Sequence, residues 1–169
     1  MIRAIEERYS CRSYTSDPVS DEDIQEIVEA GMNAPSGVNH RPWHIVVVRD
    51  EQTREKLSQT HQYAGFCAES PVVFAVCGDE TTSEHWWRED CAALIENMLL
   101  QAQDLGLGTC WIGILGSQQR GYDREEHVRE TLGIPDHIRV SALISCGHPA
   151  RPGKPKPPGP MDNVHHEKW

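Results

Sequence analysis

Three residues near the N-terminus could do chemistry together. Arg8, Ser10 and Arg12 alternate in the segment ERYSCRSY. In extended backbone, alternate side chains share a face. Two guanidiniums and a hydroxyl on one face suit a phosphate, which arginine grips with paired charge-assisted hydrogen bonds. Residue types alone also allow a solvated charged turn after the first helix.

A second concentration lies in NAPSGVNHRPWHIVVV, residues 33–48, which leaves a helix and ends as a strand. Gly37 permits a close backbone approach or a positive φ, and Ser36 and Asn39 add donors and acceptors. A loop whose polar groups only satisfy backbone is the competing reading. In LGLGTCWIG, Gly106 and Gly108 lack the spacing of a dinucleotide fingerprint and follow a helix rather than a strand. They read as a helix stop and a strand start. Gly113, at a strand end, lets a flat ligand approach the backbone. The stretch HPARPGKPKPPGP brings Lys154 and Lys156 on a stiff, proline-rich segment that could meet a phosphate or remain a solvated linker.

No metal centre is expected. The six cysteines form no CxxC pair and several sit in apolar runs, so they read as core thiols. His40 and His44 are separated by Pro42, which argues against a shared helical face.

Elements must position these residues. Ser20 caps a helix that begins DEDIQEIV, with Asp23 three residues on and Val19 and Ile24 at staple positions; Pro35 ends it near Asn33. HIVVV reads as a strand covered on both faces, residues 51–59 as a short helix, and PVVFAVCG as a second buried strand. Residues 84–105 form a long helix with an apolar centre, CAALIENMLLQA, which calls for a subunit interface or a central core position. GTCWIGIL and VSALISCG supply two more strands around a helix over residues 123–133. The C-terminal Met161, Val164 and Trp169 are too apolar for a free tail and are expected to dock, on this chain or another subunit. Pattern alone suggests a three-layer α/β domain.

Bulk properties set the outer limits. A chain of 169 residues with 38% hydrophobic and 25% charged residues suits one domain, residues 1–169, with residues 148–169 as an extended arm. The formal charge of −10 argues against wrapping nucleic acid. No apolar run approaches a membrane span, and a cytoplasmic protein is expected.

The motifs ERYSCRSYTSDPVS, APSGVNHRPWHIVVV, LGLGTCWIG and GHPARPGKPKPP, in this order, resemble the nitroreductase family of FMN-dependent oxidoreductases across nearly the whole chain. The resemblance implies an α+β three-layer sandwich on a mostly antiparallel mixed sheet flanked by helices, assembled as an intertwined homodimer, which replaces the pattern-based α/β expectation. It implies FMN as cofactor, NADH or NADPH as electron donor, and a nitroaromatic, quinone or similar small molecule as acceptor. By resemblance Arg8, Tyr9, Ser10 and Arg12 bind FMN, with Lys154 or Lys156 near its phosphate. Pro35, Ser36, Gly37 and Asn39 would come from the partner subunit, and Ile112 and Gly113 would offer backbone amides near the flavin. No side chain is expected to act as catalytic acid or base. Arg41 is expected near the cofactor cleft, favouring an anionic acceptor, and Trp86 and Trp87 are expected either to stack on an aromatic acceptor as substrate contacts or to pack at the base of the long helix. Tyr9 and Pro158 stand where the family often has basic residues, and Arg41 where it commonly has Gln. A flavin-dependent dehalogenase-like reaction, or FMN binding without turnover, is the alternative.

Overall fold

The computed structural model describes residues 1–119 and 122–169. In chain order the elements are α1 (Arg3–Glu7), α2 (Asp21–Met32), β1 (Trp43–Val48), α3 (Glu51–Ser58), α4 (Phe66–Glu69), β2 (Val72–Asp79), α5 (Trp87–Asp104), β3 (Gly108–Gly113), β4 (Gln118–Gln119), β5 (Tyr122–Asp123), α6 (Arg124–Leu132) and β6 (Ile138–Gly147). Short 3₁₀ turns occupy Gly37–Asn39 and Met161–Asn163.

The main sheet runs β1-β2-β6-β3, and each neighbouring pair is antiparallel. A parallel bridge, Ser10 to Thr109, attaches the N-terminal segment to β3. The strand-helix alternation had pointed to a doubly covered α/β arrangement; the sheet is instead antiparallel, as the family resemblance implied. Alternate residues of β2 enter opposite cores. Val72, Phe74 and Val76 pack with Leu94, Ile95 and Met98 of α5 and Ile27 of α2. Val73, Ala75 and Cys77 pack with Leu57 of α3, Cys67 of α4 and Val128 of α6. The period of two in strands therefore builds an α+β three-layer sandwich.

Local signals act as expected in several places. Ser20 Oγ accepts the Asp23 amide at 3.0 Å, and Val19 and Ile24 join the same core. At the end of α5, the Gly106 amide donates to Gln103 O (3.1 Å) and the Leu107 amide to Ala102 O (2.8 Å), with Gly106 at φ +77°. This is the paired bonding of a Schellman stop, and it turns the chain directly into β3.

Three expectations change. The long helix starts at Trp87, because Thr81 to Ser83 are spent in a turn closed on Asp79 and the next turn is closed by the Trp87 amide donating to Ser83 O at 3.2 Å. β1 is an edge strand with Val47 and His44 exposed, so its apolar run is not covered on both faces in the single chain. The C-terminal residues do not dock on their own chain: Met161, Val164 and Trp169 are exposed.

One polar network locks α6 to β6. Glu125 is buried and accepts both Arg139 Nε and Nη2 at 2.8 Å, and also the Val140 amide at 2.9 Å. Arg139 reaches Glu80 as well, and these carboxylates raise its pKa. Glu125→Ala would leave the buried Val140 amide without a partner, a cost of about 1–3 kcal/mol from that group alone. Its urea midpoint should fall with an unchanged slope.

Candidate cofactor site

The arginine segment is stitched between β3 and the start of the C-terminal arm. The Cys11 amide donates to Thr109 O at 2.8 Å, the Thr15 amide to His148 O at 2.9 Å and the Ala150 amide to Ser13 O at 3.0 Å. The Tyr14 hydroxyl donates to Cys11 O at 2.8 Å and lies 2.7 Å from Ser145 Oγ on β6; burial drives its pKa up. Cys11 packs inward against Gly108, where a Cβ would come within 2.6 Å of the Cys11 Cβ. With Cys11 inside, its neighbours Ser10 and Arg12 face outward.

Above this segment lies a pocket of about 460 Å³, lined by Arg8, Tyr9, Ser10, Arg12, Arg151, Lys154 and Lys156 among others. Its lining includes five cations and no carboxylate among the described residues. The chain carries a net charge of −10, so this concentration runs against the background. The nearest acidic partner of Arg8 is Glu96, at 4.0 Å on a half-exposed pair worth little in water.

Tyr9 has a visible reason for not being basic. Its ring lies directly against the backbone of Gly153, where any Cβ would overlap it. Tyr9 thereby presses the proline-rich arm onto the arginine segment and brings Lys154 and Lys156 to the pocket. Burial raises the Tyr9 pKa, which keeps the hydroxyl protonated.

Arg12 also lines a second chamber of about 390 Å³, with His61, Tyr63, Phe66, Trp111, Ile112, Gly113 and Arg124. The Arg12 guanidinium carbon sits 6.0 Å from the centre of the Phe66 ring, at the outer limit of a cation–π contact. A Cβ at Gly113 would meet nothing within 4 Å. Arg12 is common to the linings of both chambers, which together make up the trough, one chamber cationic and the other partly aromatic with Gly113 in its wall.

The loop at residues 35–41 lies elsewhere. None of Pro35, Ser36, Gly37 and Asn39 lines either chamber. Gly37 serves close approach: its amide donates to Asp90 Oδ1 at 2.8 Å, and a Cβ there would come within 2.8 Å of Trp86 Cε3. Val38, Asn39 and Arg41 all have positive φ, at 52°, 60° and 51°. For a β-branched residue such as Val38 this costs about 1–3 kcal/mol and marks a loop held in shape by its surroundings. Ser36 Oγ accepts the Arg41 amide at 3.0 Å, and Arg41 Nε donates to Asn39 Oδ1 at 3.1 Å.

Of the expected substrate contacts, Trp86 is 47% exposed beside Gly37. Trp87 is a correction. It is 2% exposed and packs on Gly78, where a Cβ would come within 2.5 Å of its ring, so it is a core residue. Asp90, Arg151, His61, Tyr63 and Arg124 escaped sequence reasoning. Arg151 was within reach, since Arg151-Pro152, Lys154-Pro155 and Lys156-Pro157 repeat a cation–proline pair. The others meet only through tertiary packing. The six cysteines are free and buried, and burial pushes Cys67, Cys77, Cys91 and Cys146 up to about 12, so these four are inert core thiols.

Fold and trough together define a class: an α+β sandwich with a cationic chamber and a partly aromatic one that share Arg12 beside β3. The chain belongs to the nitroreductase family, whose sequence profile matches residues 5–64 and 60–148. A protein of Methanothermobacter thermautotrophicus, named as a provisional NADH dehydrogenase/NAD(P)H nitroreductase, is 35% identical over 100% of this chain and 87% of its own length. An FMN-dependent nitroreductase from Clostridium difficile R20291 superposes with a TM-score of 0.94 at 28% identity, over 100% of both chains. The NADPH:FMN oxidoreductase from Vibrio harveyi, solved with NAD+, gives 0.87 at 27% identity over 99% of this chain and 77% of its own.

Proposed function

We propose that this protein is an FMN-dependent NAD(P)H oxidoreductase. It takes a hydride from NADH or NADPH and, after that product leaves, passes electrons in the same cleft to a nitroaromatic, quinone or similar small acceptor. The observation that carries this reading is the pair of chambers: five cations with no carboxylate among the described residues of the lining they share, beside a chamber whose wall includes Gly113. The residues fit FMN, because a phosphate tail matches the cationic chamber and the open face of Gly113 leaves room for a flat ring. The names of the relatives agree with it.

FMN, when bound, supplies the two-electron chemistry that no side chain here offers. This chain's residues bind and orient. Arg8, Ser10, Arg151, Lys154 and Lys156 would hold the phosphate end. Arg12, which lines both chambers, would orient the ligand between them. The backbone amides of Ile112 and Gly113, in the wall of the second chamber, would serve the ring, and Tyr9, packed on Gly153, would hold the arm beside the tail.

The assembly we propose is a homodimer of single 1–169 domains in the cytoplasm. The strained loop of one copy, Pro35 to Asn39, covers the trough of the other, and the arm at residues 148–169 docks its exposed Met161, Val164 and Trp169 there. No helix among the described residues is long and apolar enough to cross a membrane. Arg41 and Trp86 then border the acceptor. Arg41→Gln should lower kcat/KM for acidic nitroaromatics several-fold and leave neutral ones unchanged, as measured by NADH oxidation with matched acceptors.

The test of turnover is direct. Under anaerobic conditions NADH or NADPH should bleach the FMN-loaded protein, and a nitroaromatic should restore its colour. A flavin band that neither nicotinamide bleaches would point to binding without this turnover.

A further inference from the structure

Arg124 is the first residue of α6, and its guanidinium is oddly placed for a structural role. Its backbone amide is satisfied by Ser117 O at 3.1 Å. Its Nε is buried with no hydrogen-bond partner among the described residues. A buried unpaired donor of this kind costs about 1–3 kcal/mol, and natural proteins keep one chiefly where something else uses it.

Neighbouring acids do not neutralise it. Glu125 is committed to Arg139 and the Val140 amide. Asp123 caps α6, its Oδ1 accepting the Glu125 and Glu126 amides and its Oδ2 accepting from Gln118. Arg124 lines the second chamber with Arg12, and no carboxylate joins them there. Two like charges therefore face one small space.

His61 completes the group. Its Nδ1 accepts the Tyr63 amide at 2.9 Å, which leaves the ring proton on Nε2 as a donor. Burial, helped by the charge of Arg124, lowers the pKa of His61, so the ring contributes a neutral donor rather than a third charge.

We infer that Arg124, sharing the second chamber with Arg12 and His61, binds the ring of a flavin and favours its reduced, electron-rich form over its oxidised form. The inference rests on the FMN reading above and goes beyond it. The phosphate-binding cations lie in the other chamber, so Arg124 is assigned to the ring rather than to the tail. A fixed positive charge stabilises whichever redox state carries more negative charge.

The experiment is a dithionite redox titration of the FMN-loaded protein, with Arg124→Gln and Arg124→Met compared with wild type and with Arg124→Lys. If reduced FMN loses about ten-fold more affinity than oxidised FMN, the two-electron midpoint falls by about 30 mV. Gln and Met should both show this fall, while Lys, which keeps the charge, stays near wild type. Thermal unfolding of each variant checks that the fold is intact. A folded Gln or Met variant with the wild-type midpoint overturns the role of Arg124. A wild-type protein that gains no flavin band when FMN is added overturns the FMN reading itself, a different result in a different sample.

Discussion

Replacing Arg12 with alanine should weaken FMN binding by about 10- to 150-fold, the equivalent of the 1.5–3 kcal/mol typical of a hydrogen bond to a charged group. Fluorescence-quench titration of FMN into the apoprotein reads this directly. The effect is expected to exceed that of any other single cation in the trough, because Arg12 alone of them lines both chambers. The fold should survive. Arg12 is exposed, and its hydrogen bond to Ser10 O, at 3.5 Å, is too long to matter for stability. The segment that carries it is held instead by Cys11, Tyr14 and Thr15 through backbone and buried hydroxyl bonds. A variant that retains FMN at wild-type affinity would remove Arg12 from the site.

Gly113→Val is the second large effect, and it separates function from folding. The added side chain enters open space, since nothing lies within 4 Å of the Cβ position. Thermal stability should therefore hold to within about 1 kcal/mol, apart from strain on the terminal strand residue. Flavin binding should fall by at least about 100-fold, because the side chain occupies volume the ring needs, and overpacking a tight site costs kcal/mol rather than tenths. Gly78→Ala is the contrasting control. Its Cβ would lie within 2.5 Å of the Trp87 ring and 3.1 Å of Cys91 Sγ, so it should lower the melting temperature before any effect on FMN can be read. Loss of stability in Gly113→Val with FMN still bound would contradict the assignment of the chamber.

These two positions also show what can be read from the chain. The alternation Arg8, Ser10, Arg12 is a local pattern, and the backbone keeps it because Cys11 is drawn inward against Gly108. The cap at Ser20 and the stop at Gly106 are likewise local, and both form as their residue types dictate. Strand order is not local. β6 enters between β2 and β3, and nothing in VSALISCG distinguishes that place from the sheet's edge. The same limit produced the error at Trp87. Trp86 and Trp87 are adjacent and chemically identical, and only the docking of α5 on Gly78 of β2 sends one into the core and leaves the other beside Gly37. His61 and Arg124 lie 63 positions apart and meet only at the second chamber, so no spacing rule could have paired them. Loop strain at Val38 was equally hidden, since valine is the last residue a turn rule would place at positive φ.

The account's central claim is that the cationic chamber holds a phosphate on a flavin whose ring lies over Gly113. The most direct measurement compares FMN with riboflavin, which lacks only the phosphate, by fluorescence-quench titration at low and high salt. FMN should bind one per chain and at least about 100-fold more tightly than riboflavin, with most of that advantage lost in high salt because exposed charges are screened. Equal affinity for the two, or no binding of either, would contradict it.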